Sequence, residues 1–491
     1  MMAGRYAVKG VYAVKAVKDR LVDLEAASLA DKRKANDKLA AVIAKAGWSH
    51  AQVARAFVRV ALENGARELA AVGRSHVSHW VGGSNPSGQG PSILAETLSR
   101  RLNRVVTLDE IGLSAQPKSV PAMLDWRTDT LIELIDLGRM DIDVKRRAAL
   151  GAAAYSAAAL ALPDESWWLE LAARGRTRPS RRSRVVGSGD VEAVREMTQI
   201  FSKLDQRRGG GHARSALIQY LTSDVANYLG STFTSETIRQ HMFSAASELA
   251  YLAGWTAFDN AEHAIAQHHF RTAVKLAAEA DDAPMAGHVL RAMAHQAIDL
   301  GHLKAGLDLA TQSLEGLRYK LASPRERALL GSVYAKALGA NRYRPSAAAA
   351  LIRAEDDLAA ANAGDYEPSR VFFFGEASLA HETACTLRDV GDVPGAIREF
   401  RRSVRTRKAS SFTRTHAVTL GYLGSVQAQN GNIEEACATW SRALDAMEGI
   451  NSGRTRKVVK DMRSTLSPFR RRGISTANDL DVRAAEYLAT V

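Results

Sequence analysis

The chain has 491 residues, enough for about two to four domains that bury their own cores without disulfides or metal ions. Aromatic residues make up only 6% of the chain and proline occurs at 12 positions, a composition that favours helix over sheet. The formal net charge of +13 indicates either an anionic partner such as nucleic acid or simply a solvated basic surface.

The segments follow one another in a clear order. A basic arm covers residues 1–35, a compact group of short helices covers 36–114, and a helical connector covers 115–172. An arginine-rich stretch with proline, serine and glycine predicts a flexible linker over 173–190. Helical periodicity then dominates 191–491, and strand-like alternation is nearly absent, so the predicted fold class is all-α.

The compact N-terminal segment contains residues that commonly start and end helices, and they are closely spaced. A first helix is predicted over Asn36 to Ala46, where Gly47 would end it. Ser49 is a suitable N-cap for a second helix from His50 to about Leu62. A connection this tight is typical of a helix-turn-helix core. Thr107 would cap a last short helix at the end of the segment.

A third helix is predicted between Gly73 and Gly83. Val77 and Trp80 lie three residues apart and would face inward. The opposite side would carry only polar side chains, namely Arg74, Ser75, His76, Ser78 and His79. A short helix with apolar anchors and an exposed polar side suits insertion into the DNA major groove.

This arrangement resembles the lambda-repressor-like (XRE-type) regulators, whose third helix commonly ends in an apolar residue, a tryptophan three positions later and a glycine. Val77, Trp80 and Gly83 keep that ending. Two departures are the long loop before the third helix and His50, which stands where a phosphate-gripping glutamine is common.

The resemblance implies two classes of DNA contact. Base contacts would come from Arg74, Ser75, His76 and His79. Phosphate contacts would come from His50, Gln52 and Ser78. The charge of the segment agrees, because residues 1–118 hold 18 lysines and arginines against 10 aspartates and glutamates.

The C-terminal segment carries a recurring pattern of small and large residues that is typical of stacked helix pairs. In that pattern a small residue is followed by another after 12 positions, by a large apolar residue four later and by a small one three further on. The matches, in chain order, are Gly254–Ala266–Phe270–Ala273, Met293–Ala305–Leu309–Gln312 (the weakest), Ala335–Ala347–Leu351–Ala354, Ala384–Ala396–Phe400–Ser403 and Gly424–Ala436–Trp440–Ala443. The second small residue recurs every 39 to 49 positions, so these tetratricopeptide-like repeats should be longer than the standard repeat of about 34. We expect an α-solenoid.

The order of segments also resembles a family of regulators from streptomycetes and related actinobacteria. The resemblance rests on the helix-turn-helix, an alanine-rich helix that follows Arg146-Arg147, the GGGHAR turn at 209–214 and the repeats. Although Lys145-Arg146-Arg147 with its apolar run looks like a twin-arginine export signal, its internal position favours a buried helix. The resemblance implies a transcriptional regulator of differentiation or secondary metabolism and supplies no effector.

No constellation of an enzyme or cofactor site is visible in the sequence, so we expect a non-enzyme without a cofactor or metal. The glycines at 209–211 predict either a structural turn or, with the neighbouring arginines, an anion site. Cys385 and Cys437 lie far apart in no metal-ligand spacing, which predicts two small buried thiols in a reducing compartment.

The function predicted from the sequence is a cytoplasmic, nucleoid-associated regulator that binds double-stranded DNA as a homodimer. Its repeats would supply the dimer and a groove for a peptide or protein effector, lined by Arg291, His295 and Asn341. No apolar run is long enough to span a bilayer, so a membrane partner is not expected. The alternative is an adaptor whose repeats bind a protein and whose N-terminal helices only cap the array.

Overall fold

The computed structural model describes residues 35–113, 126–142, 155–180, 183–362, 364, 366–472 and 474–490. Most of these residues are helical and only four lie in strands, which confirms the all-α prediction. Within these ranges, no helix is long and apolar enough to cross a membrane. The predicted basic arm up to residue 34, and the alanine-rich helix up to residue 154, lie outside the described residues.

The N-terminal segment is a small helical unit with its own core. Its helices are α1 (Asp37–Ala46), α2 (His50–Glu63), α3 (Arg74–Val81) and α4 (Gly90–Leu102). Gly47 ends α1 in the left-handed conformation with a φ of 64°, and the Ser49 hydroxyl accepts the backbone N–H of Gln52 at the start of α2. Buried leucine, valine, phenylalanine and tryptophan side chains from all four helices form the core.

Two parts of this unit depart from short turns between regular helices: the loop before α3 and the residues that follow α4. Residues 64–73 separate α2 from α3 and contain one 3₁₀ turn, Arg67–Leu69, so the long loop predicted from the sequence is present. Near the end of the unit the Thr107 hydroxyl accepts the N–H of Glu110, as a cap would. The residues that follow Thr107 form turns and no regular helix, although Ile111 and Leu113 are buried in the core of the unit.

The described part of the connector packs against the repeats through buried charges. It contains α5 (Thr130–Ile142), a 3₁₀ turn (Ala157–Leu160) and α6 (Glu165–Thr177). Glu133 on α5 pairs with Lys275, and Asp141 accepts hydrogen bonds from Arg214 and from His269, 2.9 Å away. Loss of one partner would leave the other charge buried and unpaired, so these pairs specify where α5 packs.

The described residues of the segment predicted as a flexible linker, 173–180 and 183–190, are instead bound to the body of the protein. Its first residues belong to α6. Arg178 then donates from Nη2 and Nε to the buried Glu279, at 2.6 and 3.1 Å, and from Nη1 to Asp129 at 2.8 Å. Farther on, β1 (Val185–Val186) pairs in parallel with β2 (Thr232–Phe233). The prediction was wrong because a low apolar content does not exclude anchoring by ion pairs.

A long helix precedes the repeats and ends in the glycine-rich turn. This part comprises α7 (Ser188–Arg208), α8 (Arg214–Tyr220), a π turn (Leu221–Val225) and α9 (Ala226–Leu229). The sequence left two interpretations of the glycines at 209–211 open, a structural turn or an anion site, and the structure favours the turn. A side chain at Gly210 would lie 2.4 Å from the backbone oxygen of Thr256, and Gly209 has a φ of 86°. The glycines permit a close approach between backbones.

The remaining helices form consecutive antiparallel pairs. They are α10 (Glu236–Asp259) with α11 (His263–Glu279), α12 (Ala283–Asp299) with α13 (Leu303–Ser313), the short α14 (Leu317–Lys320), α15 (Pro324–Ala340) with α16 (Arg344–Ala359), α17 (Glu376–Val390) with α18 (Val393–Thr406), α19 (Thr413–Gln429) with α20 (Ile433–Ala446), and α21 (Gly453–Arg471) with α22 (Ser475–Thr490). The array is solenoid-like, because each pair packs mainly on its neighbours.

The small residues of the repeat pattern lie where two helices of a pair touch. A side chain at Gly254 would meet the ring of Phe270 at 2.6 Å, and one at Gly424 would meet the indole of Trp440 at 2.5 Å. The weakest match is displaced by one position: Gly306, in place of Ala305, makes the close approach. The longest step between repeats holds the extra segment 360–375 with its 3₁₀ turn (Ser369–Val371).

A seam joins the C-terminal pairs to α7 and the end of α10. Arg414 of α19 donates to Asp205 and Asp259, each at 2.9 Å, and all three side chains are buried. Beside it the backbone N–H of Asn451 donates to the carbonyl of Arg208 at 2.8 Å. The array therefore curves until distant parts of the chain meet, and α7 lies along one wall of the space that it encloses.

Candidate functional sites

The exposed side of α3 is a candidate nucleic-acid interface. Val77 and Trp80 are buried as predicted, and Trp80 packs on Phe57 with ring centroids 5.1 Å apart. These two anchors fix the rotation of α3. The five polar side chains proposed for DNA contact on this helix, Arg74, Ser75, His76, Ser78 and His79, are all exposed.

His76 has a defined orientation at the start of α3. Its Nδ1 accepts the backbone N–H of Gly73 at 3.1 Å, a side-chain to backbone bond across the first turn. A neutral imidazole that accepts at Nδ1 carries its proton on Nε2. The outer nitrogen of His76 is therefore a hydrogen-bond donor, suited to a phosphate oxygen or to an acceptor atom of a purine.

The two residues proposed for phosphate contact on α2 differ in exposure and in the hydrogen bonds that they already make. His50 is half-buried at the first position of the helix. Gln52 is exposed, but its Oε1 accepts the backbone N–H of Ser49 at 2.8 Å. The amide oxygen of Gln52 thus completes the helix cap, and only its NH₂ group is left to donate to a phosphate.

The N-terminal unit also exposes three arginines that were not among the residues predicted from the sequence. Arg55, Arg59 and Arg67 have no carboxylate partner among the described residues. Arg55 and Arg59 follow Gln52 by three and seven positions, so they lie on the same side of α2. That spacing was the signal that could have identified them. By contrast, Arg104 pairs with Glu110 at 2.5 Å.

The N-terminal unit is attached to the repeats by a buried polar contact. Glu96 of α4 and His302, in the turn before α13, meet at 2.7 Å, and each side chain is 3% exposed. Arg100 donates to Glu96 at 2.8 Å and also pairs with Glu63. Burial alone would raise the pKa of Glu96, but the hydrogen bonds and positive charges of His302 and Arg100 outweigh it, and the pKa is lowered.

A second candidate site is the cleft enclosed by the repeats, here called the central cavity. It has about 970 Å³ of empty volume, part of it open to solvent. It is lined by α7, by the first helix of each pair from α10 to α21 and by the segment after Arg370. About 80 Å³ of it can be occupied by water-sized molecules, which is room for a few waters or a compact ligand group.

Two of the three residues predicted for an effector groove line the central cavity. Arg291 and His295 lie one turn apart on α12 and both face it. Asn341 does not join them, because its amide donates to the carbonyls of Ala337 and Leu303, each at 2.9 Å. Asn341 closes the C-terminus of α15 and ties it to α13.

Most charged groups of the central cavity are paired within the protein. Arg370 forms two bonds to the buried Glu326, at 2.7 and 2.8 Å, and Glu326 also contacts His288 at 3.1 Å. Burial, with the charge of Arg291, lowers the pKa of His288 to about 3, so this imidazole is neutral at physiological pH. Because His288 carries no charge, the positive charge of Arg370 is balanced by the negative charge of Glu326.

A second network lies around His295. Its ring contacts Asp299 at 3.4 Å and Glu382 at 3.7 Å, and Lys336 donates to Asp299 at 3.1 Å. Although burial opposes ionisation, the positive charge of Lys336 and the bonds from His295 lower the pKa of both Asp299 and Glu382. Both carboxylates are therefore anionic and already bound.

The described residues contain no cluster of three or more histidine, cysteine, aspartate or glutamate side chains that could hold a metal ion. Cys385 and Cys437 are both free thiols and both buried, as the sequence predicted. Burial raises the pKa of Cys385 to about 12, and it also raises the pKa of Cys437. A protonated, enclosed thiol is a poor nucleophile.

Comparison with known proteins concerns the N-terminal unit alone. Residues 39–114 match the model of a protein family described as the SP15 N-terminal domain. Those residues cover nearly all of α1 to α4 and the turns that follow. No match was found among curated proteins or among solved structures. The N-terminal unit is thus similar to the SP15 N-terminal domain.

Proposed function

We propose that this protein is a DNA-binding transcriptional regulator whose N-terminal unit reads double-stranded DNA through α3. The observation that carries the proposal is the exposed polar side of α3, held in place by buried Val77 and Trp80. In this role Arg74, Ser75, His76 and His79 face base edges, while His50, Gln52 and Ser78 face phosphates. The exposed Arg55, Arg59 and Arg67 add positive charge to the same unit.

The rest of the proposal concerns partners and compartment. A reader of this size recognises one half-site, so a homodimer on a two-fold symmetric site is the working form. The tetratricopeptide-like repeats supply the dimer contacts and an effector site, and the protein works in the cytoplasm on nucleoid DNA. Control of differentiation or secondary metabolism is the role that the family resemblance supports.

The test measures the affinity of the full chain for genomic DNA fragments by gel shift and fluorescence anisotropy. Arg74→Ala combined with His79→Ala removes two exposed side chains that make no hydrogen bond within the described residues, so the fold should remain. We expect the best fragment to bind at least about 30-fold more weakly, because each of the two base contacts contributes roughly 1–3 kcal/mol. Arg442→Ala, at an exposed position on α20, is the matched control. Unchanged affinity in the double variant would exclude α3 as the reader.

A second candidate function is a protein-interaction adaptor in which the N-terminal unit caps the array. The buried contact between Glu96 and His302 favours this alternative, because it attaches the unit to the repeats as a cap would be attached. The same binding series separates the two functions. An adaptor would show no selected fragment and no dependence on Arg74.

A further inference from the structure

Two buried arginines of the central cavity differ from the other charged groups around them. Arg291 and Arg407 both line the cavity and are 2% and 7% exposed. Neither has a carboxylate within ion-pair distance among the described residues, whereas Arg370 and Arg414 of the same cavity each have one or two. Arg454 of the same wall also lacks such a carboxylate but is only partly buried, so the wall carries two buried guanidinium groups that no carboxylate of the described residues pairs with.

Arg291 is held only by neutral groups. Its Nη2 donates to the hydroxyl of Tyr251 at 2.9 Å and lies 3.1 Å from Nε2 of His288. The guanidinium also lies 5.7 Å from the ring centres of Tyr251 and Trp255. Its Nε is buried without a hydrogen-bond partner. These contacts fix the orientation of the guanidinium group, but none of them supplies a negative charge.

Arg407 stands directly after α18 and has the same character. Its Nη2 donates to the carbonyl of Ala377 at 2.9 Å and to the hydroxyl of Ser403 at 3.1 Å, and its Nη1 reaches Ser378 at 3.5 Å. Its Nε is also buried without a partner. Burial lowers the pKa of Arg407 to about 10, although the charge of Glu382 partly opposes the shift.

Burying an unpaired charge costs free energy, and a bound anion recovers part of that cost. The planar guanidinium donates in a fixed fork that matches the oxygens of a carboxylate or a phosphate. The carboxylates that line the cavity do not serve this purpose: Asp205 binds Arg414, Glu382 lies near His295 and Lys336, and Glu248 accepts a bond from Ser369.

Apolar groups complete the lining of the cavity. They come from four elements and include Leu252, Trp255, Leu329, Val333, Phe373 and Phe374. A ligand with an uncharged, partly aromatic body would bury apolar surface against them. The two unpaired arginines and this lining together define the chemical class of the occupant.

We propose that the central cavity binds a small organic anion whose carboxylate or phosphate groups pair with Arg291 and Arg407 and whose apolar part lies against the aromatic lining. This ligand is the effector in the function proposed above, but its binding does not require DNA. A failure of DNA binding would therefore leave the ligand site intact, and the reverse also holds.

The experiment uses the full chain without DNA and three probes of matched shape: 4-phenylbutyrate, 3-phenylpropyl phosphate and the uncharged 4-phenylbutyramide. Isothermal titration measures the affinity of each probe for the parent, Arg291→Met, Arg407→Met and the control Arg442→Met. We expect saturable binding of at least one anion and binding of the amide weaker by about ten-fold or more. Each cavity variant should lose about ten-fold for the anion, and the control should lose nothing.

The two anionic probes also distinguish a carboxylate ligand from a phosphate ligand. If a methionine variant fails to fold, Arg291→Lys and Arg407→Lys replace it, since they keep the charge and remove the fork. They should bind the anion several-fold more weakly than the parent. Equal binding of acid and amide, no saturable binding of either anion, or parental affinity in both cavity variants would overturn the proposal.

Discussion

Glu96 and His302 lie 206 positions apart in the chain, and their side chains meet at 2.7 Å in a buried contact between the N-terminal unit and the repeats. The contact is reinforced by Asn103, whose side-chain oxygen accepts the backbone N–H of Lys304 at 3.1 Å. The N-terminal unit is therefore joined to the array by a buried polar pair and by an exposed hydrogen bond beside it.

Glu96→Ala should lower the free energy of unfolding by about 3–5 kcal/mol, because it leaves Arg100 and His302 buried beside a missing carboxylate. Urea denaturation measures the loss. Glu110→Ala is the control, since the pair that it breaks with Arg104 is partly exposed and contributes only about 0–1 kcal/mol. Similar losses in the two variants would contradict the assignment of Glu96 as a structural anchor.

The lowered pKa of Glu96 also predicts a pH dependence. Because the folded pKa lies below the ordinary value of 4.5, the contribution of Glu96 to stability is fully present above that value. It is lost as the pH falls through the folded pKa. The difference in unfolding free energy between the parent and Glu96→Gln should thus be constant near neutral pH and shrink in acid. A difference that grew as the pH fell would have the wrong sign.

Gly424→Ala should destabilise the protein by about 1–3 kcal/mol, because the added methyl group would lie 2.5 Å from the buried indole of Trp440. That indole is held by a hydrogen bond to the carbonyl of Gly421 and cannot move away easily. The same substitution at Gly189 meets nothing within 4 Å and should leave stability unchanged or raise it by up to about 1 kcal/mol. Urea denaturation of both variants compares the two effects.

Arg55→Ala and Arg59→Ala should each reduce the salt dependence of DNA binding. A lost phosphate contact releases about one counterion fewer, so the slope of log affinity against log salt should become less steep by roughly 0.9 per variant. Sequence preference should not change, since phosphate contacts carry no sequence information. Anisotropy titrations over a range of salt concentrations measure the slope. Arg442→Ala should keep the parental slope.

Neither cysteine should react with a thiol reagent in the folded protein. Cys385 is 1% exposed with a pKa of about 12, and Cys437 is 4% exposed with a raised pKa, so thiolate is scarce and enclosed at pH 8. Ellman's reagent should detect two thiols in urea and none in native buffer. Rapid reaction of either thiol in native buffer would show that its surroundings open readily.

Local sequence signals predicted the helices and their anchors well. Ser49, Gly47 and the pair Val77 and Trp80 act within one or two helical turns, so their roles follow from spacing alone. Gly254 and Phe270 were found in the same way, because helix pairing repeats at a nearly regular distance. The DNA role of α3 stays a prediction, since exposure of its polar side does not identify what binds there.

Long-range polar contacts could not be predicted from the sequence. Arg407 stands in a run of arginines from 398 to 407, and only its burial in the folded chain separates it from its solvated neighbours. Arg178 looked like part of a linker because its partner Glu279 is 101 positions away. Asn341 looked like a groove residue, but an asparagine that ends a helix uses its amide on nearby carbonyls.

The seam at Arg414 changes how the array should lose its structure. In an open solenoid each repeat touches only its neighbours, so terminal repeats fray or can be deleted one at a time. Here Arg414 contacts Asp205 across 209 positions, and Asn451 holds the end of α7. Deleting the last helix pairs would uncover α7 and the first pair as well. Residues 188–471 should therefore unfold in one cooperative transition. Deleting an early or a late repeat should destabilise the array to a similar extent.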